Sequence, residues 1–412
     1  MKKEISIIML FAILLMSCNN QNDDLLKSIE NDHLNRSYLV PESQAIEEAI
    51  SFFNAQKKDS PNKRPSYVKR CVQASSNSGS VSAREGVYII NFENNNGFAV
   101  VSADKRDGAS VYFASPVGFC DETNDVYKDL LNRVKEYQQT VISSHSFNPD
   151  KGDAIYTETT TVEENYGPLL STCWHQRGVF NQELKRIYGE EVDSAMGCMP
   201  VAIGQIINYF QFPDTIRGEC IYWDFISLAT GRESIPTLAT NTASRMLYLL
   251  GLDMGLNYPS YSSAIYPQAV AEFRLLGYLF SEHAGFDVNI VKNQISQQKP
   301  VFISGDNGNE GHAWIADGFM RVKTEYRVYD ENGNLVENTV LNDYNYDNTN
   351  DYIHLNPGWG ANYLTYKNSR FEYESNIDHR IWVYSNIFNF VPGNSSYSFN
   401  NNVRLIYNFS HQ

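Results

Sequence analysis

The chain has 412 residues, 42% hydrophobic and 20% charged, which is globular in composition and long enough for two or three domains. Its formal charge of −15 comes without a basic stripe, so a phosphate-backbone binder is excluded and nucleic acid is not an expected partner.

The first residues, MKKEISIIMLFAILLMSC, pair a short basic stretch with an apolar run that stops at Cys18. That run is too short for a comfortable membrane span and has the layout of an export signal. Leu15-Met16-Ser17-Cys18 also resembles a bacterial lipobox, which implies a signal peptide over 1–17 and lipidation of Cys18. A polar tether over 18–37 then joins the chain to the membrane. The expected location is the outer membrane or cell surface of a Gram-negative bacterium, with release after maturation left open. Asp23 and Asp24 resemble surface-export signals, and the competing reading is a plain signal peptide with an incidental cysteine.

Residues 41–57 carry apolar positions at helical spacing. Val87 to Phe92 and Phe98 to Val101 flank an NNNG turn and predict a hairpin. Residues 124–143 again read as a helix, and the polar, Thr-rich stretch after it reads as a linker and domain boundary. A helix is expected from Cys198 onward and another over 242–258, stopped around Gly251 to Gly255. Residues 289–305 predict a short helix broken before Pro300 that leads into a strand, and β-patterns dominate from 311, down to NVRLIYNF near the end. Helices first and strands second indicate an α+β fold.

With Cys18 set aside, five cysteines remain at 71, 120, 173, 198 and 220. An odd number in an exported chain points to a free, reactive thiol, and no Cys or His pair has zinc-ligand spacing. Pairing of Cys71, Cys120, Cys173 and Cys220 stays open at this point. The acidic loops lack the spacing of a calcium-binding EF-hand, so neither a metal nor a cofactor is expected.

Cys198 opens the apolar run of Val201, Ala202, Ile203, Ile206 and Ile207, with Pro200 where a helix start tolerates it. At a helix N-terminus the dipole and the unpaired N–H groups favour thiolate, the attacking species. His312, in Gly311-His312-Ala313-Trp314, opens a strand on which a general base could be fixed. Asn356, in HLNPGWG, could accept the other imidazole N–H, and Trp359 could shield that bond from water. His175 reads as a surface or loop residue and His354 as packing. The order Cys, His, Asn is that of papain-like thiol proteases.

GCMPVAIGQIINYFQFP, PLLSTCWHQRGVFN, GHAWIADGF and HLNPGWG together resemble the streptopain family of cysteine peptidases, in that family's order. IINFENNNGFAVVSADKR resembles the family's inhibitory propeptide. The likeness runs from about residue 38 to 392, leaving the last 20 residues outside. It implies a small α+β propeptide domain over 38–155 and, over 156–412, a papain-like domain with a helical part and an antiparallel β part.

The resemblance implies a catalytic set of Cys198, His312, Asn356 and Gln176. Gln176 would form an oxyanion hole with the Cys198 N–H, and Asn356 would orient the histidine. Gly197, Gly311, Trp314 and Trp359 would support the site. The implied function is a secreted or surface lipoprotein zymogen of a cysteine endopeptidase, cut in the Thr-rich linker. Its partners would be protein or peptide substrates, its own propeptide as inhibitor, and the membrane through Cys18. Pro357 stands where the family generally has a tryptophan, which keeps a second reading alive: a weak or inactive homologue acting as a binding or inhibitor lipoprotein.

Overall fold

The computed structural model describes residues 40–56, 65–72, 86–104, 109–122, 125–144, 155–192, 194–231, 237–260, 263–306, 311–329, 346–358, 363–367, 370–374, 380–389 and 401–411. The signal segment, Cys18 and Trp359 lie outside them.

In the N-terminal part, α1 (Glu42–Gln56) and α2 (Asp125–Ser144) accompany β1 (Pro65–Val72), β2 (Gly86–Phe92), β3 (Phe98–Ser102) and β4 (Val111–Ser115). The expected hairpin is the antiparallel pair β2–β3, joined through a short 3-10 turn, Glu93–Asn95. Next comes β5 (Ile155–Tyr166), where the sequence reading had a linker. The difference has a physical origin. Thr and Val are β-branched and favour extended backbone, and the missing hydrogen-bond partner is supplied from a distance.

The C-terminal part opens with α3 (Gln182–Tyr188), α4 (Cys198–Phe210), the short pair β6 (Thr215–Ile216) and β7 (Glu219–Cys220), α5 (Trp223–Ile226), α6 (Thr237–Asp253) and α7 (Tyr266–Leu275). There follow β8 (Tyr278–Ala284), α8 (Val288–Ser296), β9 (Val301–Asp306), β10 (Gly311–Tyr329) and β11 (Tyr346–Asn356). The chain ends with β12 (Tyr363–Lys367), β13 (Arg370–Glu374), β14 (Ile381–Tyr384), α9 (Ser385–Asn389) and β15 (Asn401–His411). The composition had not signalled α7 or β8 as separate elements.

One antiparallel sheet runs through both parts in the order β1-β2-β3-β4-β14-β11-β10-β9-β15-β8. The join is β4 on β14, with Trp382 opposite Ala114 and Val383 opposite Phe113. The long β10 pairs with β9 over Gly311 to Ala316 and then with β5 over Phe319 to Tyr329, so β5 takes over where β9 ends. β15 lies between β9 and β8, placing part of the last 20 residues inside the sheet.

Side chains alternate across this sheet as a period of two demands. On one face Trp314, Ala316, Val301 and Ile303 share a core with Phe52, Ile89, Val100 and Phe113 of the N-terminal part. On the other, Ala313, Ile315, Phe302 and Ile406 pack against α4, α6 and α7. Rings cross the first interface, Phe52 meeting Tyr352 at 5.0 Å and Tyr137 meeting Tyr384 at 5.9 Å. The N-terminal part is therefore built into the core of the C-terminal part.

Candidate active site

α4 begins at Cys198 after Gly197, whose φ of 96° is a conformation that L side chains rarely adopt. Gly197 thus turns the chain into the helix. The segment before it is pinned from two sides: the Met196 N–H donates to the Gln176 carbonyl at 2.7 Å, and the Tyr258 hydroxyl donates to the Met196 carbonyl. The first bond brings the Gln176 loop against the start of α4. Gly204, further along, is pressed against α6; a Cβ there would lie 2.5 Å from Leu247 Cδ2 and 3.2 Å from Trp174.

The Cys198 thiol is partly buried. Burial pushes its pKa up, against backbone N–H groups of Ala313, Met199 and Cys198 itself, which pull it down. The expectation of a thiolate held by the helix terminus is therefore corrected for this state. Desolvation outweighs the N–H groups, and the sulfur rests as a thiol.

His312 is buried at the start of β10, and its Nε2 lies 2.8 Å from the Pro357 carbonyl. A carbonyl only accepts, so Nε2 carries the proton and Nδ1 is the basic nitrogen of the neutral ring. Burial drives the imidazole pKa down to about 4, with the Pro357 carbonyl acting in the opposite sense. The Trp314 indole stacks on the imidazole at 5.9 Å and 17°. The Ala313 N–H, next to His312, works against the upward shift of the thiol, and α4 packs on β10, so the two candidate groups lie on contacting elements.

Asn356 does not have the contact expected of it. Its Nδ2 donates to the Thr172 carbonyl and to Gln205 Oε1, both at 3.0 Å, while its Oδ1 accepts from the Gly358 N–H at 3.2 Å. The amide makes these three bonds, and it is the next residue's carbonyl that meets the ring. Pro357 thus contributes through its backbone, which any side chain at that position would also supply.

Gln176 is half-buried, two residues after Trp174, whose N–H donates to Gln205 Oε1 at 3.2 Å. Gln205 was missed by the sequence reading. A glutamine inside the apolar run AIGQII was the available signal, because a buried amide needs partners. Among the described residues, a Cβ at Gly311 would meet the Gly305 carbonyl at 3.5 Å, an ordinary contact.

Two further histidines have partners of their own. His354 Nδ1 bonds Asp317 Oδ1 at 2.6 Å and its ring packs on Trp382 at 5.1 Å. His175 is half-buried in the loop before α3; its Nδ1 accepts from the Arg177 N–H, and burial lowers its pKa to about 4. Cys198 and Cys220 are free thiols, so Cys173 and Cys220 do not pair. Among the described residues no His, Cys, Asp and Glu group is arranged to hold a metal ion. Nor is any helix among them long and apolar enough to cross a membrane.

Cys198 thus opens a helix packed on the strand that bears His312, beside the Gln176 loop. Residues 174–366 match the model of the peptidase C10 family, and residues 37–141 match that of the Spi protease inhibitor. These two matches support a C10-family peptidase preceded by a propeptide. Over 276 residues, 56% of the chain, it is 20% identical to the thiol protease/hemagglutinin PrtT of Porphyromonas gingivalis, and it spans 31% of that longer protein. A solved fragment of prointerpain A from Prevotella intermedia is 16% identical, with a TM-score of 0.49, covering 82% of this chain and 98% of its own. Active interpain A from the same organism is 14% identical, with a TM-score of 0.32, covering 59% of this chain and 94% of its own. The C10 match spans Cys198, His312, Asn356 and Gln176, and the inhibitor match covers the part whose β4 extends the C10 sheet.

Proposed function

We propose that the chain is the zymogen of a cysteine endopeptidase, with Cys198 as nucleophile and His312 as base and acid. The observation that carries this is the buried His312 ring, held through Nε2 on the Pro357 carbonyl at the start of β10, the strand against which α4, opened by Cys198, is packed. His312 Nδ1 takes the thiol proton, because Nε2 already donates to Pro357. The sulfur then attacks a peptide carbonyl. The oxyanion forms between the Gln176 amide and the Cys198 N–H, where loss of one donor typically costs about 10²–10³ in rate. The imidazolium protonates the leaving amine, and water releases the acyl group from the thioester.

The family match to a protease inhibitor supports the N-terminal part as an inhibitory propeptide. Maturation must separate β4 from β14, and we place the cut before Ile155 rather than in the Thr-rich stretch. β5 is hydrogen-bonded to β10 along its length, and a paired strand resists a protease cleft that needs extended, free backbone. Export and lipidation at Cys18 belong to the same proposal, resting on the apolar run that ends there.

The inactive-homologue reading loses its main support, since the Pro357 carbonyl makes the contact whatever its side chain. The deciding experiment uses protein lacking residues 1–18. It should shorten on incubation under reducing conditions, cleave casein and be labelled by a thiol-directed epoxide, all lost in Cys198→Ala. Absence of labelling and cleavage in the unmutated chain would refute the peptidase. Incorporation of a labelled fatty acid, abolished by Cys18→Ala, tests the anchor.

A further inference from the structure

We infer that Gln205 is a positioning residue of the proposed peptidase site, its side-chain oxygen holding together the three segments that carry the reacting groups. The inference rests on the peptidase reading. Gln205 lies seven residues after Cys198, two turns along α4, which is about 10 Å and beyond contact with a substrate carbonyl. It is 1% exposed in the middle of an apolar helix, a costly place for an amide without partners.

Its oxygen has two donors. The Trp174 N–H, at 3.2 Å, belongs to the segment that reaches Gln176 two residues later. Asn356 Nδ2, at 3.0 Å, belongs to the residue whose successor presents the carbonyl to His312. Asn356 closes the loop by donating to the Thr172 carbonyl, back on the first segment. Nucleophile helix, oxyanion loop and imidazole acceptor are thus tied at one atom. Gln205 Nε2 has no partner among the described residues, so it is the oxygen that carries the arrangement.

This separates two ways of replacing it. Glu keeps an oxygen acceptor at the same reach, whether ionised or protonated. Met keeps the volume and loses the acceptor, freeing Trp174 and Asn356 to move. Asn keeps the amide and withdraws the oxygen by one methylene. A displacement near 1 Å at a reacting group costs on the order of 10²-fold in rate.

The test uses the matured protein, with active sites counted by epoxide labelling. Gln205→Met and Gln205→Asn should each lower kcat per labelled site roughly 10- to 100-fold with KM nearly unchanged. The limb of the pH profile that belongs to His312 should move to lower pH as the Pro357 carbonyl drifts from the ring. Gln205→Glu should stay within several-fold of the unmutated enzyme. If Gln205→Met fails to fold, Gln205→Asn and the Glu rescue carry the test. Variants with unchanged kcat and pH profile but lowered thermal stability would show an ordinary core residue and overturn the inference while leaving the peptidase standing. An unmutated protein that neither labels nor cleaves would overturn both.

Discussion

Replacing Asn356 tests whether the site is held by a side-chain amide on the ring or by the scaffold around it. Asn356 makes hydrogen bonds to Thr172, Gln205 and Gly358 and is 1% exposed. Each such bond is worth about 0.5–1.5 kcal/mol net, so Asn356→Ala should cost about 3 kcal/mol. In a part of this size that is a fall in Tm of roughly 6–12 °C. Asn356→Asp sharpens the test. It keeps the acceptor for the Gly358 N–H but turns a carboxylate oxygen toward the Thr172 carbonyl and Gln205 Oε1, both acceptors. Its cost should equal or exceed that of Ala, about 3–5 kcal/mol for an uncompensated buried charge. Both variants are measured by urea unfolding in a Cys198→Ala background, where self-cleavage cannot intervene, and by kcat in the active chain. If Asn356→Asp is as stable as the parent and keeps its activity, Asn356 orients the imidazole directly and the assignment of that role to the Pro357 carbonyl is wrong.

Other consequences follow from burial. His312 falls from the ordinary 6.5 to about 4 in the folded protein, so the unfolded chain binds the extra proton between those values. Its contribution to stability is therefore complete above pH 6.5 and lost as pH drops toward 4, about 3 kcal/mol in all; His312→Gln should flatten that part of a Tm-against-pH curve. Glu272 behaves in the opposite sense. Burial, then Asp253, raises its carboxyl from 4.5 to about 8, with Arg217 opposing. The stability it contributes is whole below pH 4.5 and declines as pH rises through about 8, so Glu272→Gln should raise Tm more at pH 8.5 than at pH 5. Equal shifts at both pH values would contradict a neutral buried acid. Gly204→Ala puts a methyl into Leu247 and Trp174, and overpacking of that kind costs about 1–3 kcal/mol; unchanged stability would mean that α4 and α6 separate freely.

What could be read from the sequence was what side-chain identity encodes. The apolar spacing after Cys198 gave α4 its start and its buried faces, and the order of Cys198, His312 and Asn356 gave the strand that faces it. What could not be read depends on backbone groups and on distant partners. The acceptor for His312 is a carbonyl, which every residue possesses, so attention went to the neighbouring Asn356, the nearest side chain able to do the work. The thiolate expectation considered the helix terminus but not the depth at which that terminus would lie, and depth prevails.

β5 shows the same limit from the other side. Its Thr-rich composition reads as solvated linker until β10, more than 150 residues later, provides a partner. That pairing changes how latency is built. The chain between the two parts is itself a strand of the C-terminal sheet, while among the described residues β4 pairs with β14 at Ala114–Trp382 and Phe113–Val383. On propeptide release the β4–β14 seam, short in register but continuous with the Phe52–Tyr352 and Tyr137–Tyr384 contacts, is where the apolar interface must open. Because strand hydrogen bonds at that seam are few, the attachment depends chiefly on buried rings. Phe52→Ala should therefore loosen the N-terminal part and speed maturation, whereas a substitution on the exposed face of β5 should leave the rate unchanged.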